Sequence, residues 1–350
     1  MKNCNTFINF FLALNWLGLR SISRSYIVNL KNGLILKLKL PFKKHGSIIM
    51  EKIFISGASG FIGKKLAHIF LSKGYKVTGI GTSATHPFSE EFEKFEWISS
   101  DTTVPGKWQD KVARSDIIIN LAGRNIFHYW TKNYKQAIYD SRILTTRNIV
   151  SAIQKGKTQK LLTTSAAGIY GDCKDEFLAE ERPPGKDFLA NVCVDWEKEG
   201  LKAKEKGVRV AVMRFGVVLG NGGALSMMTP VFKMFVGGPL GGGDQWFPWI
   251  HVQDIEKAMG FIIENKEIQG IFNFTGPAPI RQKQFARTLG RVLERPAIMP
   301  APSFVIKAVM GELGRSLLQS QRVIPKNLLD AGYSFLFPTL ESSLKNIFTK

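Results

Sequence analysis

Lys52-Ile53-Phe54-Ile55-Ser56-Gly57-Ala58-Ser59-Gly60-Phe61-Ile62-Gly63 decides how the rest of the chain is read. A short apolar run meets three glycines spaced three apart and passes into Lys64-Lys65-Leu66-Ala67-His68-Ile69-Phe70-Leu71. The pattern predicts a buried strand, a tight turn and an amphipathic helix. Gly57 permits the turn, Gly60 lets backbone N–H groups approach a pyrophosphate, and Gly63 lets the helix pack closely on the strand. Unpaired donors at the helix start then favour an anion, which makes Gly57, Ser59, Gly60, Phe61, Ile62 and Gly63 candidate dinucleotide-binding residues.

Downstream segments extend the same architecture. Tyr75–Ile80 reads as the second strand, and Glu96-Trp97-Ile98 as a short third. Asp116-Ile117-Ile118-Ile119-Asn120-Leu121-Ala122-Gly123 is a further strand ending in small residues. A helix is expected from about 131 to 153, then a strand Lys160–Ser165, a helix through Asp195-Trp196-Glu197 and a strand Val208–Arg214. This alternation predicts an α/β fold, a doubly wound parallel Rossmann sheet, with a smaller C-terminal mixed or helical substrate lobe. The expected division is a dinucleotide-binding domain over 50–275 that includes part of that lobe, and a C-terminal lobe with a helical appendage over 276–350.

Ligands of such sheets lie at the carboxyl ends of the strands. Leu121, Ala122 and Gly123 therefore belong beside the coenzyme, with Arg124 and Arg142 as candidate phosphate contacts. An acid after the second strand would favour NAD; Thr82 and Ser83 stand there instead, hydroxyl donors with room for a 2′-phosphate. NADP is the expected cofactor, with NAD as the alternative. Ser165 and Tyr170, at the end of a strand, are candidate substrate-facing hydroxyls. Further along, Gly216–Gly243 reads either as an apolar lid or as a segment whose methionines fill the smaller lobe, the second being preferred, with Gln245 and Trp246 at its end as candidate substrate contacts. His251 reads as structural and Asp254 as a helix N-cap.

The chain has 350 residues and a formal charge of +20. Residues 1–49 hold eight Lys or Arg and no acid, so the 40 basic and 28 acidic residues of the remainder give +12. That surplus is scattered, without a groove-reading motif, so nucleic acid is not an expected partner; a small molecule is. Cys4, Cys173 and Cys193 lack paired or metal-ligand spacing, which predicts a reducing compartment and no metal site. Residues 7–19 are apolar but too short and interrupted for a stable membrane span. Residues 1–49 read as a leader or as a mis-assigned upstream extension, since Met50 precedes the first strand. The cytoplasm is the expected location, or an organellar matrix if 1–49 is a transit peptide. Composition leaves the oligomeric state open.

Several stretches together resemble the extended short-chain dehydrogenases/reductases, in particular the epimerase-family-protein branch that ends in a C-terminal domain of unknown function. They are Gly57-x-x-Gly60-x-x-Gly63, Asn120-Leu121-Ala122-Gly123, Trp130-Thr131, Ser141-Arg142, Phe188–Glu197, Gly216–Gly220, Gly237–Gly241, Trp249-Ile250-His251 and Val323-Ile324-Pro325-Lys326. The resemblance spans residues 50 to about 347. It implies a Rossmann domain, NADP binding and oxidoreductase or epimerase chemistry on a small polar substrate, nucleotide-linked ones included. That branch commonly has an Arg where Thr82 stands and an acid where Arg124 stands.

Working members of the superfamily use a Tyr as acid/base with a Lys four residues later on a helix, because a phenol near pKa 10 needs a cation to act near neutrality. The helix in that place, Phe188–Glu197, offers Leu189 and Cys193. Tyr170-x-x-x-Lys174 matches formally but in a glycine-containing loop. The competing reading is therefore a catalytically silent NADP(H)-binding regulatory or redox-sensing protein.

Overall fold

The computed structural model describes residues 27–29, 35–37, 51–86, 88–157 and 159–349. The chain forms two compact units, 1–49 and 50–350. In the first, Ile27–Asn29 pairs antiparallel with Ile35–Lys37; the apolar run at 7–19 and the serine- and arginine-bearing stretch at 20–25 lie outside the described residues.

The second unit is built on seven parallel strands: β1 (Lys52–Ser56), β2 (Lys76–Gly81), β3 (Phe95–Ser99), β4 (Ile117–Asn120), β5 (Lys160–Ala166), β6 (Arg209–Phe215) and β7 (Gly270–Phe274). Their spatial order is 3-2-1-4-5-6-7, a doubly wound sheet whose direction of winding reverses between β1 and β4. Alternation along each strand supplies two cores. Ile53, Ile55, Ile117, Ile119, Leu162, Ala211 and Met213 face one side; Phe54, Ile118, Leu161, Val210 and Val212 face the other. Burial on both faces explains why these strands read as continuous apolar runs.

Helices α1 (Phe61–Ser72), α2 (Lys132–Ala152) and α3 (Phe188–Leu201) follow β1, β4 and β5. Thr131 caps α2 by accepting from Tyr134 N, and Asp187 caps α3 by accepting from Ala190 N. The second lobe draws on residues from both sides of position 275. Its core joins Leu219, Leu225, Phe232 and Trp249 to Ile280, Phe285, Leu289, Leu340, Leu344 and Ile347. These come from the parallel pair Val217–Leu219 and Trp249–His251, from α4 (Gly223–Lys233), and, beyond the intervening α5 (Val252–Glu264), from α6 (Gln282–Leu293) and α8 (Leu340–Phe348), with α7 (Ser303–Leu317) between these last two. Helix α5 instead returns to the sheet, burying Ile255, Ala258, Met259 and Ile262 in the first core.

Two local expectations are corrected. His251, not Asp254, caps α5: its Nδ1 accepts from Gln253 N at 3.1 Å. Asp254 is buried in the first turn, where its carboxylate accepts from Leu336 N, Phe337 N and the Tyr333 hydroxyl and so anchors the return toward α8. The methionines of 216–243 do not chiefly fill the lobe either. Met228 packs on its core, while Met227 and Met234 are exposed.

Candidate active site

The glycine turn after β1 has the form that a dinucleotide requires. Gly57 adopts φ +70°, and a Cβ there would stand 3.0 Å from the Leu121 carbonyl carbon and oxygen. A Cβ at Gly63 would fall 2.3 Å from the Gly57 carbonyl oxygen and 2.7 Å from Ala58 Cα, so only glycine lets α1 seat this closely. Gly60 N donates to Gly57 O, which closes the turn, while the N–H groups of Ser59, Phe61 and Ile62 have no protein acceptor among the described residues. The first turn of α1 carries no acid. Unpaired donors, the positive end of a helix and no competing carboxylate fit a diphosphate.

The end of β4 is fixed against this turn by a buried polar network. Ser56 Oγ donates to Asn120 Oδ1 at 2.6 Å and accepts from Leu121 N and Ala122 N. Asn120 Nδ2 donates to Thr146 Oγ1, which also accepts from Trp196 Nε1. One cluster thus ties β1, β4, α2 and α3 together beneath the Leu121–Gly123 turn. Thr82 and Ser83 stand exposed after β2, and Trp97 Nε1 donates to the Ser83 carbonyl.

A cavity of about 410 Å³ opens beside Phe61, Leu121 and Gly123. Its walls are largely apolar, with Leu189, Val192, Trp196, Phe215, Leu313 and Leu317; its polar groups include Arg142, Thr164, Ser165, Cys193, Gln319 and Gln321. Arg142 lies against Gly123. One Nη donates to the Arg124 and Ile138 carbonyls, the guanidinium sits over the Trp196 ring, and no carboxylate pairs with it among the described residues. Burial pulls its pKa down. Arg124 stays outside the cavity: its guanidinium lies over the Tyr134 ring.

Ser165 and Tyr170 do not occupy one site. Ser165 Oγ reaches the cavity and donates to Glu197 Oε1 at 2.6 Å. Tyr170 is buried below the cavity, and its hydroxyl is fully engaged with the Ala179 carbonyl, Asn273 Oδ1 and Arg214 Nη1. Burial drives its pKa up to about 12 despite the neighbouring guanidinium. Lys174 is not among its partners and is exposed at φ 51°, so the loop match produces no acid/base pair. In the place of that pair, Leu189 and Cys193 do line the cavity; burial, reinforced by Glu197, pushes the Cys193 thiol up to about 11, so it is protonated near neutrality. Gln245 and Trp246 are not part of the cavity wall: Gln245 donates to the Leu240 carbonyl, and Trp246 donates to Asp175, lies between Arg281 and Arg322 and accepts from the N–H of the wall residue Gln321.

Residue-by-residue reading overlooked the ion pair under the floor. Glu197 and Arg214, both almost fully buried, pair through two bonds of 2.8 and 2.9 Å. Arg214 also donates to the Glu180 carbonyl. The available signal was an arginine inside the apolar run Val210–Phe215, since a buried cation requires a buried partner.

A model described as the NAD dependent epimerase/dehydratase family matches residues 53–274, and a second, a domain of unknown function (DUF1731), matches 301–347. The chain belongs to the NAD-dependent epimerase/dehydratase family. Within that family it is 36% identical to the Arabidopsis thaliana protein named "Epimerase family protein SDR39U1 homolog, chloroplastic", over 84% of this chain and 86% of that protein. It is 35% identical to the epimerase family protein YfhF of Bacillus subtilis, over 84% and 97%. The human epimerase family protein SDR39U1, solved with NADPH, superposes with a TM-score of 0.73 at 30% identity, covering 85% of this chain and 98% of that one. A Bacillus cereus UDP-glucuronic acid 4-epimerase solved with NAD and its sugar nucleotide shares the fold at 19% identity (TM-score 0.68, 85% and 98% covered).

Proposed function

We infer that this chain binds NADP(H) and uses it for oxidoreductase or epimerase chemistry on a small substrate held in the 410 Å³ cavity. The observation that carries the reading is the glycine turn with three N–H donors that have no protein acceptor among the described residues, next to a cavity whose wall includes Phe61 of that turn. In this reading Gly57, Ser59, Gly60, Phe61, Ile62 and Gly63 hold the diphosphate, and Thr82 and Ser83 donate to the 2′-phosphate. Leu121, Ala122 and Gly123 face the coenzyme, and Arg142 supplies positive charge behind Gly123. The related human protein solved with NADPH supports the choice of NADP.

The bound nicotinamide supplies hydride transfer. Around it, the chain's own groups exclude water and orient. Ser165 gives its proton to Glu197, so its free lone pairs are available to accept from a substrate hydroxyl. Arg214 holds the Glu197 carboxylate in place through two bonds. The apolar walls suit a substrate with one polar reacting end, which narrows the broader expectation of a small polar compound. Sugar nucleotides remain in the test set because structural neighbours of the same fold bind them.

A second reading, NADP(H) binding without turnover, rests on one observation: α3 presents Leu189 and Cys193 where a proton donor would stand. Single-turnover oxidation of bound NADPH across a panel of aldehydes, ketones and UDP-sugars separates the two. Oxidation with any member that is lost in Ser165→Ala supports the enzyme reading. Tight NADPH binding with no oxidation across the panel supports the silent one.

A further inference from the structure

Fifteen large apolar side chains are exposed among the described residues, and ten of them lie in two short segments, 227–236 and 298–309. Met234 is 64% exposed, Phe235 57%, Ile298 77%, Phe304 73% and Val309 70%. The segments form one surface. Met299 N donates to Gly237 O, Ala301 N to Pro239 O and Gly241 N to Ala301 O, so the approach to α7 is laced to the end of α4. In the first part of α7, residues 303–309, only Ile306 is buried, and Gly311, at φ 58°, breaks the helix just beyond. An apolar concentration of this kind marks an interaction surface rather than ordinary scatter.

Charge identifies the partner. Residues 227–243 and 295–311 contain no acid. They contain Lys233, Arg295 and Lys307, none of which is in an ion pair among the described residues. Arg295 lies over the Phe235 ring at 4.9 Å, inside the apolar surface rather than beside it. A second copy of the same face would bring three cations without ion-pair partners among the described residues against three others, with only Glu294 at its edge to offset them. A surface of lipid tails and anionic headgroups complements both features. No described helix is long and apolar enough to cross a membrane, so the association is one of lying on the bilayer.

We propose that the α4–α7 face docks on an anionic lipid bilayer, with Phe235, Ile298, Phe304 and Val309 entering the headgroup–acyl boundary and Lys233, Arg295 and Lys307 meeting anionic headgroups. The face adjoins the cavity, to which Ala224 of α4 and Leu313 and Leu317 of α7 contribute walls. Docking there sets the cavity beside the lipid. The inference stands whether or not the cavity turns over a substrate.

The test is co-sedimentation of the full chain with vesicles of phosphatidylcholine alone and of phosphatidylcholine with phosphatidylglycerol in equal parts. The native chain is expected to partition at least about tenfold more strongly onto the anionic vesicles, less so as salt rises. Phe304→Asp with Val309→Asp should remove most of that binding, and Lys233→Ala with Lys307→Ala should weaken it about fivefold per charge. Leu329→Asp, an exposed apolar site elsewhere, should leave it unchanged. Thermal melts check each fold, and the lysine pair keeps the test decisive if the aspartate pair unfolds. Residues 1–49 are basic in every variant, so binding indifferent to both pairs belongs to that segment and overturns the proposal. So does a dimer in velocity sedimentation that Phe304→Asp with Val309→Asp dissociates while the native chain ignores both vesicle types.

Discussion

The turn at Gly57–Gly63 and the turn at Ser165–Tyr170 both leave carboxyl ends of parallel strands in the same sheet, yet they carry function in different ways. At the first, the binding groups are backbone N–H donors, and the sequence needs only glycines where a Cβ would collide. At the second, everything depends on which side chain points where. Ser165 reaches the cavity; Tyr170, five residues on, is turned under the floor and held by Arg214 and Asn273. A site made of backbone is specified by local geometry, whereas a site made of side chains is specified by partners distant in the chain.

The sharpest way to break this contrast is at Gly63. Gly63→Ala places a Cβ 2.3 Å from a carbonyl oxygen that belongs to the turn itself. We expect loss of coenzyme affinity by at least about 100-fold and destabilisation of about 3 kcal/mol or more, read by equilibrium dialysis and chemical unfolding. An unaffected Gly63→Ala protein would show that the turn is not built as described.

At the second region the largest effect belongs to the buried pair. Glu197→Gln leaves the Arg214 guanidinium without a counter-charge and should cost about 3–5 kcal/mol in urea unfolding. Glu197→Leu combined with Arg214→Met should recover much of it, because the strand and helix then meet through apolar groups. A double variant as unstable as the single one would mean that the pair's hydrogen bonds, rather than charge balance, hold the floor together.

His251 sets the background against which any pH effect at Ser165 must be read. Burial and the nearby Lys65 lower its pKa from 6.5 to about 4. The folded state therefore holds it neutral while the unfolded chain takes up a proton below 6.5. Its contribution is fully present above pH 6.5 and is lost as pH falls from 6.5 to about 4, by about 3 kcal/mol in all. Urea unfolding across that range should show the slope, and His251→Asn, which keeps an N-cap acceptor, should flatten it.

The smallest expected effect is at Tyr170. Tyr170→Phe removes one hydroxyl from a satisfied network and should cost about 1–2 kcal/mol of stability, leaving NADPH affinity within about twofold and any turnover intact. A folded Tyr170→Phe protein that binds NADPH but loses turnover would return this residue to the chemistry.

The sheet and the coenzyme turn were legible because each rests on short-range pattern. Ile117-Ile118-Ile119 reads as a strand buried on both faces, and Gly57, Gly60 and Gly63 mark the turn and the start of α1. The second lobe was less legible because its core joins residues more than a hundred positions apart, such as Leu219 and Leu344. The chemistry was least legible. Tyr170-x-x-x-Lys174 satisfies a spacing rule that has meaning only on a helix, and here the chain turns through Gly171 at φ 66°. Cys193 and Leu189 were the better guide, since the positions face the cavity even though their side chains carry no proton donor active near neutrality.

The central claim is that the loop from 57 to 63 cradles the diphosphate of NADP(H). Titration of the full chain against NADPH, followed by nicotinamide fluorescence, tests it most directly. The account predicts a saturable emission change with one coenzyme per chain and competition by NADP⁺. No change in emission and no competition, from a protein that melts cooperatively, would contradict it.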